Sequence, residues 1–391
     1  MSTNYDVAII GAGPAGGFCA KELAKKGFKV LIIDKLADPT INAYSSGGAP
    51  IEILSNFDLP VYLVSNYLDK FTISSSKNTN TWTSEENYGV ILDFAKLRAY
   101  FSETAKELGA SVHWHTDFIS YCKKDNKYQL TLKNLTSQTV FLVTTTIIID
   151  ASGTDRKLFG KKQTSNLMPM TGIEYFIKVD NKIHNNYDNN LTFLIGQKWM
   201  PQGYGWVFPA SVPYLKVGVI RYFANQSLVP HEHSYKYYIE NIITQKFNQA
   251  EVTLRHGKTI DYAMHQNDKK CEHNIFVIGD AISSVNPLAC EGIRHALATA
   301  QIACNVIANK GDSTKYQMQL KKYFRFNWLI MEKIMQYIYT RKNDDDLEDI
   351  FYAFKKLSLK EITDLGFNYK LLALTKFSWA FFLNKIAKIK K

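Results

Sequence analysis

The chain has 391 residues, 46% hydrophobic and 21% charged, a globular composition long enough for two domains or one large one. Its 5 cysteines are scattered and include no C-x-x-C pair, so neither a disulfide framework nor a zinc site is expected, and a reducing cytoplasm fits best. The net charge of +11 is spread out, without an arginine-rich block interleaved with aromatics. That argues against a nucleic-acid partner and leaves a basic background, or attraction to lipid headgroups or a phosphorylated substrate.

Met1-Ser2-Thr3-Asn4 runs straight into the apolar Val7-Ala8-Ile9-Ile10, which does not resemble a signal peptide, and no uninterrupted apolar run is long enough to span a bilayer. Residues 5–10 predict a buried strand, 14–26 a helix and Phe28–Asp34 a second strand, a βαβ beginning. Residues 40–56 are rich in Ser and Gly and read as irregular, and 60–88 as antiparallel strands. Phe94, Leu97, Phe101, Ala105 and Leu108 recur at helical spacing and predict a helix over Asp93–Leu108, stopped by Gly109. Strands follow at Ser111–Trp114, Tyr128–Lys133 and Phe141–Asp150. The stretch 170–265 is mostly strand, interrupted by a helix over Tyr235–Phe247. A short strand, Ile275–Ile278, leads to a helix over Glu291–Ala308, a long helical pattern over 313–340, an acidic kink point at Asp344–Asp346 and a helical tail.

The strongest motif is Gly11-Ala12-Gly13-Pro14-Ala15-Gly16, a G-x-G-x-x-G placed after an apolar strand and opening a helix. Gly11 allows the tight turn, Gly13 lets the backbone approach a pyrophosphate, and Gly16 lets helix and strand pack closely. The phosphates then meet free N–H groups at the positive end of the helix. Asp34 closes the second strand and is placed to accept hydrogen bonds from a ribose diol. A second half-site separates FAD from NAD. Gly279-Asp280-Ala281 follows an apolar strand, where Asp280 suits a ribityl hydroxyl. The helix opening at Glu291-Gly292-Ile293 could face the flavin's pyrimidine edge.

These pieces, with Asp34-Lys35 and Asp150-Ala151-Ser152-Gly153, resemble the p-hydroxybenzoate hydroxylase-like flavoprotein superfamily of aromatic hydroxylases and geranylgeranyl reductases over about the first 310 residues. Tyr204-Gly205-Trp206-Val207-Phe208-Pro209, followed by Val217-Gly218-Val219, is most similar to the FAD-dependent geranylgeranyl reductase branch, as are Asn286-Pro287-Leu288 and Glu291-Gly292-Ile293. In that branch the aromatics line a prenyl-chain tunnel, which implies substrate contacts for Tyr204, Trp206 and Phe208; Cys290, close to where the flavin's reactive edge is expected, could shape the substrate pocket or help donate a proton. The chain departs from the branch at Cys290, where a glycine is usual, and at Ser45-Ser46-Gly47-Gly48, where the branch has a cysteine loop. It departs again at Phe94, where an arginine is expected after Asp93; Arg98, one turn later, is the candidate replacement on the pyrophosphate. Lys35, Ser45, Ser46, Gly48, Arg98 and Ile293 complete the implied cofactor contacts.

Tyr204, Trp206 and Phe208 alternate on a strand and share a face, read either as core or as a wall over the flavin ring. Cys290 reads more readily as a small apolar filler than as a catalytic group. His231-Glu232-His233 lacks a third ligand and reads as a solvated loop. His113 and His115 read as surface residues on one side of a strand, and His295 as a candidate neighbour of the flavin. The apolar residues of 370–391 follow no single stripe and end in lysines, which leaves two readings: a membrane-surface anchor and a packed helix.

The expected fold is α/β: a Rossmann-type FAD domain of the glutathione reductase-like, hydroxylase kind, with an inserted β-rich substrate domain and a helical C-terminal tail. The FAD domain is expected from 1–55, 90–165 and 265–310, the substrate domain from 56–89 and 166–264, and the tail from 311–391. The function implied is an FAD-dependent oxidoreductase that reduces a double bond of an apolar, isoprenoid-like substrate. The alternative is an FAD-dependent monooxygenase using NAD(P)H and oxygen, and a flavin-binding sensor without turnover is a third reading. No second G-x-G-x-x-G is present, so electrons would come from transiently bound NAD(P)H or another donor. Peripheral membrane contact stands beside a cytoplasmic location.

Overall fold

The structure is a computed structural model that describes residues 3–160, 167–222, 233–247, 249–341 and 343–389. The chain divides into two compact units. The first comprises Met1–Ser45, Asp93–Leu167 and Asp261–Leu329, and the second Ser46–Leu92, Met168–Ile260 and Ile330–Lys391. The fold is α/β, with a Rossmann-type unit, a β-rich unit and several C-terminal helices.

The first unit is built on a sheet ordered Cys271–Glu272, Ile275–Val277, Val140–Asp150, Thr3–Ile10, Val30–Ile33 and Ser111–His113. Thr3–Ile10 pairs in parallel with both Val140–Asp150 and Val30–Ile33. Their central residues are buried on both faces, as parallel strands covered by helices must be. A hairpin of Thr116–Lys124 and Lys127–Asn134 adds to Val140–Asp150 antiparallel. Helix Pro14–Lys25 packs closely on helix Phe94–Glu107, because a Cβ on Gly17 would come 2.9 Å from Phe101 Cβ. The Asp93 side chain caps the second of these helices by accepting from the Lys96 amide at 3.1 Å.

The second unit is built on a seven-stranded sheet ordered Glu251–Ala263, Leu167–Lys178, Tyr214–Arg221, Gly203–Pro209, Asn190–Leu194, Lys70–Ser74 and Thr79–Thr83. Helix Tyr235–Lys246 covers one face, where Ile239 and Ile242 join Leu194, Val207, Val217 and Val219 in the core. Gly205 allows that approach, since a Cβ there would lie 2.7 Å from Ile242 Cδ1. The residues between these core positions point to the opposite face, which is the aromatic one.

Several sequence expectations are corrected. Residues 40–56 are not wholly irregular, because Gly48–Pro50 pairs antiparallel with Gly89–Leu92 and Ile53–Asn56 makes a helical turn. That pairing also groups residues 46–55 with the second unit. The helix expected from Glu291 begins at Ile293, with Gly292 as its N-cap. The pattern over 313–340 is helical but breaks at Arg325 (φ 45°), in the left-handed region. Asp344–Asp346 is no kink: the three acids form the first turn of helix Asp344–Phe354, capped by Asn343, where they complement the helix dipole.

The tail forms helices Leu359–Gly366 and Leu372–Ile389. One side of the last helix packs, with Phe377 against Phe354 (5.0 Å between ring centres) and Asn384 bonded to Asp349 (2.7 Å). Its other side leaves Leu372, Trp379, Phe382 and Leu383 exposed by 82%, 65%, 58% and 46%. One side of the helix is thus packed and the other exposed, because its apolar residues run round the cylinder. The side chains of the terminal lysines, 388, 390 and 391, lie outside the described residues. Among the described residues, no helix is long and apolar enough to cross a membrane.

Candidate cofactor and substrate sites

The glycine loop has the stereochemistry its spacing demands. Gly11 sits at φ 104°, and a Cβ there would come 2.4 Å from the Ala151 carbonyl oxygen. A Cβ on Gly16 would come 1.9 Å from the Gly11 carbonyl oxygen, so helix and turn interlock only without side chains. Gly13 differs, because among the described residues a Cβ there meets nothing within 4 Å. Gly13 is the N-cap of helix Pro14–Lys25, no side chain caps that end, and Pro14 has no N–H to satisfy. Uncapped amides therefore face open space, the arrangement that binds a phosphate. The Asp34 carboxylate is held by the Ala12 amide (2.7 Å) and the Leu36 amide (2.9 Å), one on each oxygen, leaving a lone pair on each for a ribose.

Arg98 is buried, donates through Nη1 to the Ile41 carbonyl (3.0 Å) and leaves Nε buried without a partner. Burial lowers its pKa, opposed by Asp34 and Asp38, so an unsatisfied donor sits in the field of two acids. Lys35 pairs with Asp155 at 2.6 Å in a half-exposed bridge worth at most about 1 kcal/mol. Ser45 ends this section of the first unit, whereas Ser46 and Gly48 belong to the second, where the Ser46 carbonyl accepts from Lys216 Nζ at 3.1 Å.

The Gly279-Asp280 corner meets the glycine-loop helix directly. A Cβ on Gly279 (φ 65°) would lie 3.0 Å from Ala15 Cβ, and the Gly279 amide donates to Thr299 Oγ1 at 3.0 Å. Asp280 in turn faces the start of the next helix, since a Cβ on Gly292 would lie 3.7 Å from Asp280 Oδ1. Two motifs more than two hundred residues apart are thus one surface. The open cradle at Gly13, the uncapped amides, the unsatisfied Arg98 Nε and this second corner fit the chemistry of FAD.

The loop before that helix is tightly tied. Asn286 Oδ1 accepts from the Leu288 and Ala289 amides (2.8 and 3.2 Å), and the Cys290 amide donates to the Asn286 carbonyl (3.0 Å). Cys290 is held at φ 52°, a conformation glycine adopts freely and a β-carbon resists. Cys290→Gly is therefore expected to stabilise the protein by about 1 kcal/mol, read as a higher urea midpoint with an unchanged slope. A lower midpoint would show that the thiol's packing outweighs the strain.

A buried polar array, invisible to motif reading, follows the loop. Glu291 accepts from the Arg294 amide (3.1 Å), from Arg294 Nη2 (2.9 Å) and from His295 Nε2 (3.1 Å). Burial opposes ionisation of Glu291, yet the Arg294 guanidinium holds its carboxyl down to about 2. Burial also lowers the pKa of His295, so the ring is neutral near pH 7. Its Nε2–H then donates to Glu291, and Nδ1 accepts from the Tyr323 hydroxyl at 2.6 Å. Glu291 lies just before the helix, three and four residues from Arg294 and His295, a spacing legible in principle; Tyr323 comes from a distant helix and is not.

Asp150, the first residue of the D-A-S-G segment, organises the turn that follows it. Its carboxylate accepts from Ser152 Oγ (2.5 Å), the Ser152 amide (3.0 Å) and the Leu158 amide (2.9 Å). Burial raises its pKa in spite of them. His113 and His115 are corrected from surface strand residues: both are half-buried, and the strand ends at His113 because His115 turns to φ 52°. His231 and Glu232 lie outside the described residues, and His233 packs on Tyr237 with ring centres 3.8 Å apart.

In the second unit, Tyr204, Trp206 and Phe208 form a continuous aromatic row, with ring centres 6.0 and 6.3 Å apart. Phe193 touches Tyr204 and Phe208 (5.4 and 5.3 Å), and Tyr222 stacks on Tyr339 at 4.6 Å at the Tyr204 end. Gly48 lies at the Phe208 end, where a Cβ would come 3.9 Å from the Phe208 ring. The Trp206 indole lies flat across the sheet over Gly218, where a Cβ would come 2.2 Å from Trp206 Cζ2.

The fold is the one shared by FAD-dependent oxidoreductases. Within that class the chain is geranylgeranyl reductase-like. A family model described as an NAD(P)-binding Rossmann-like domain matches residues 9–61. The sequence is 25% identical to digeranylgeranylglycerophospholipid reductase 3 of Methanosphaera stadtmanae, over 92% of each chain. It is 23% identical to the chloroplastic geranylgeranyl diphosphate reductase of Arabidopsis thaliana, over 86% of this chain and 74% of that one. A geranylgeranyl bacteriochlorophyll reductase-like protein from Thermoplasma acidophilum superposes with a TM-score of 0.80 at 18% identity, over 96% and 100% of the two chains. A p-nitrophenol 4-monooxygenase from Pseudomonas putida reaches 0.70 at 12% identity, over 97% and 98%. The scaffold alone is therefore common to reductases and hydroxylases, and the sequence relatives named here are reductases.

Proposed function

We propose that this chain reduces carbon–carbon double bonds of an isoprenoid-chain lipid, with its two units serving as a cofactor-binding and a substrate-binding domain. The observation that carries the reading is the uninterrupted buried aromatic row of Tyr204, Trp206 and Phe208, in a chain whose curated relatives are named for geranylgeranyl substrates.

The amides of Gly13, Ala15 and Gly16, with Arg98, would hold the pyrophosphate of FAD, and Asp34 its ribose. Gly11, Ala12 and Pro14 shape that turn, and Lys35, Ser45, Ser46 and Gly48 complete the proposed contacts. Asp280 would take a ribityl hydroxyl. The Arg294 amide is already engaged by Glu291, so Gly292 and Ile293 are the amides proposed for the pyrimidine edge. Bound FAD supplies two-electron transfer to the substrate. The aromatic row and Cys290 would hold the prenyl chain and exclude water. Electrons would arrive from transiently bound NAD(P)H or another donor.

The test is anaerobic. Protein reduced by dithionite is mixed with geranylgeranyl diphosphate, a digeranylgeranylglycerophospholipid or an aromatic acid, and reoxidation is followed by flavin absorbance. Reoxidation by a prenyl lipid, with a product two mass units heavier per bond and no oxygen consumed, is expected. Reoxidation only with oxygen and an aromatic acid, yielding a hydroxylated product, would overturn the reading in favour of a monooxygenase.

The exposed row of Leu372, Trp379, Phe382 and Leu383 is proposed to rest on a membrane surface, with the basic chain end against anionic headgroups. The protein is expected to float with vesicles of anionic phospholipid, and Trp379→Glu with Leu383→Glu to abolish that. Flotation unaffected by the double variant would remove the helix from the account.

A further inference from the structure

We propose that Glu174 is a positioning residue for the substrate wall: its carboxylate fixes the Trp206 indole in the flat orientation against which the prenyl chain lies. The inference rests on the reading of the aromatic row as the substrate wall.

Glu174 lies on strand Leu167–Lys178, across from Gly218, and is buried on a face otherwise dominated by aromatic side chains. A carboxylate is costly in such a place unless its oxygens are engaged. Glu174 Oε2 accepts from the Trp206 indole N–H at 2.8 Å, and His256 Nε2 lies 3.3 Å from Oε1. The acceptor is thus aimed at the single polar atom of the central wall residue.

The ring is restrained from beneath as well. Gly218 is its floor, and a Cβ on Gly172 would lie 3.9 Å from Trp206 Cη2, so the indole spans two strands that present no side chain there. Tyr204 and Phe208 flank it on its own strand. Floor, flanks and tether leave one orientation. A wall that is already ordered loses little rotamer freedom when a chain settles on it, which favours binding without altering the chemical step. Core packing would be served by a phenyl ring at 206 with no buried acid beside it. The fold instead keeps an indole and a carboxylate for its one donor.

The experiment uses the flavin-loaded protein labelled with 15N in its indoles. The Trp206 N–H resonance is assigned by its disappearance in Trp206→Phe, and KM and kcat are measured with geranylgeranyl diphosphate. In Glu174→Leu the Trp206 resonance is expected to move upfield and exchange faster, while KM rises about tenfold with kcat little changed. In Glu174→Gln, whose amide oxygen still accepts, both values are expected to return most of the way towards wild type. A Trp206 resonance unmoved in Glu174→Leu overturns the tether. A resonance that moves while KM stays constant overturns the role in substrate binding. Should Glu174→Leu fail to fold, an unchanged resonance or KM in Glu174→Ala decides against the proposal in the same way. Wild-type protein inert to every prenyl lipid brings down the wall reading, and the substrate role with it, while the resonance still reports separately whether Glu174 holds the indole.

Discussion

Gly13→Val is expected to give a folded protein that purifies colourless and takes up no FAD. The position is unusual within the glycine loop, because a Cβ there meets nothing within 4 Å among the described residues. Its backbone, at φ −71° and ψ −178°, is extended and suits a β-branched residue. Folding should therefore tolerate valine, whereas a pyrophosphate drawn to the uncapped amides of helix Pro14–Lys25 would meet its methyl groups. Losing that contact should lower FAD affinity at least about a hundredfold, roughly the worth of two charge-assisted hydrogen bonds. Gly16→Ala is the contrast. Its Cβ would come 1.9 Å from the Gly11 carbonyl oxygen, so the cost falls on folding, at about 1–3 kcal/mol or more. Flavin content by absorbance and unfolding by circular dichroism separate the two. A yellow Gly13→Val protein with wild-type FAD affinity would mean that the cofactor is bound elsewhere.

Gly218→Ala should leave flavin content intact and damage lipid turnover. The added methyl would come 2.2 Å from Trp206 Cζ2 and 2.4 Å from Cε2, so the indole must lift off the sheet or the strands must part. The ring is hemmed by Tyr204 and Phe208 and tethered to Glu174, so it cannot simply swing away. Overpacking of this kind costs about 1–3 kcal/mol of stability. A displaced wall should also raise KM for geranylgeranyl diphosphate at least about tenfold. Trp206 emission, isolated by subtracting the Trp206→Phe spectrum, should shift in the absence of any lipid. Unchanged emission and unchanged KM together would remove Trp206 from the substrate site.

The amino-acid sequence determined the cofactor chemistry by itself, because that chemistry is local. A glycine loop depends on residues a few positions apart, with an apolar strand before it and an amphipathic helix after it. The interlock of Gly11 and Gly16 is visible in their spacing alone. The alternation of Tyr204, Trp206 and Phe208 placed them on one face for the same reason, since a strand has a period of two. The resemblance to geranylgeranyl reductases was legible because it rests on the same short segments.

What only the tertiary structure decided involves partners far apart in the chain. That Gly279 lies against Ala15, and that Asp280 faces Gly292, depends on the order of strands in the sheet, which no local pattern encodes. Of the buried acids, Glu174 follows the same logic: it carries no signal in the sequence and acquires a role from the Trp206 indole, 32 residues away. Asp150 and Glu291 stand in short motif segments and have donors nearby in the chain, the Ser152–Leu158 turn and Arg294 with His295, yet their burial is decided only by the packed chain. Cys290 is the case in between. Its departure from glycine was plain in the sequence, but its left-handed backbone, and hence the strain it carries, exists only once the Asn286–Glu291 loop has closed. Local stereochemistry is written in neighbouring residues, whereas burial and charge pairing belong to the packed chain.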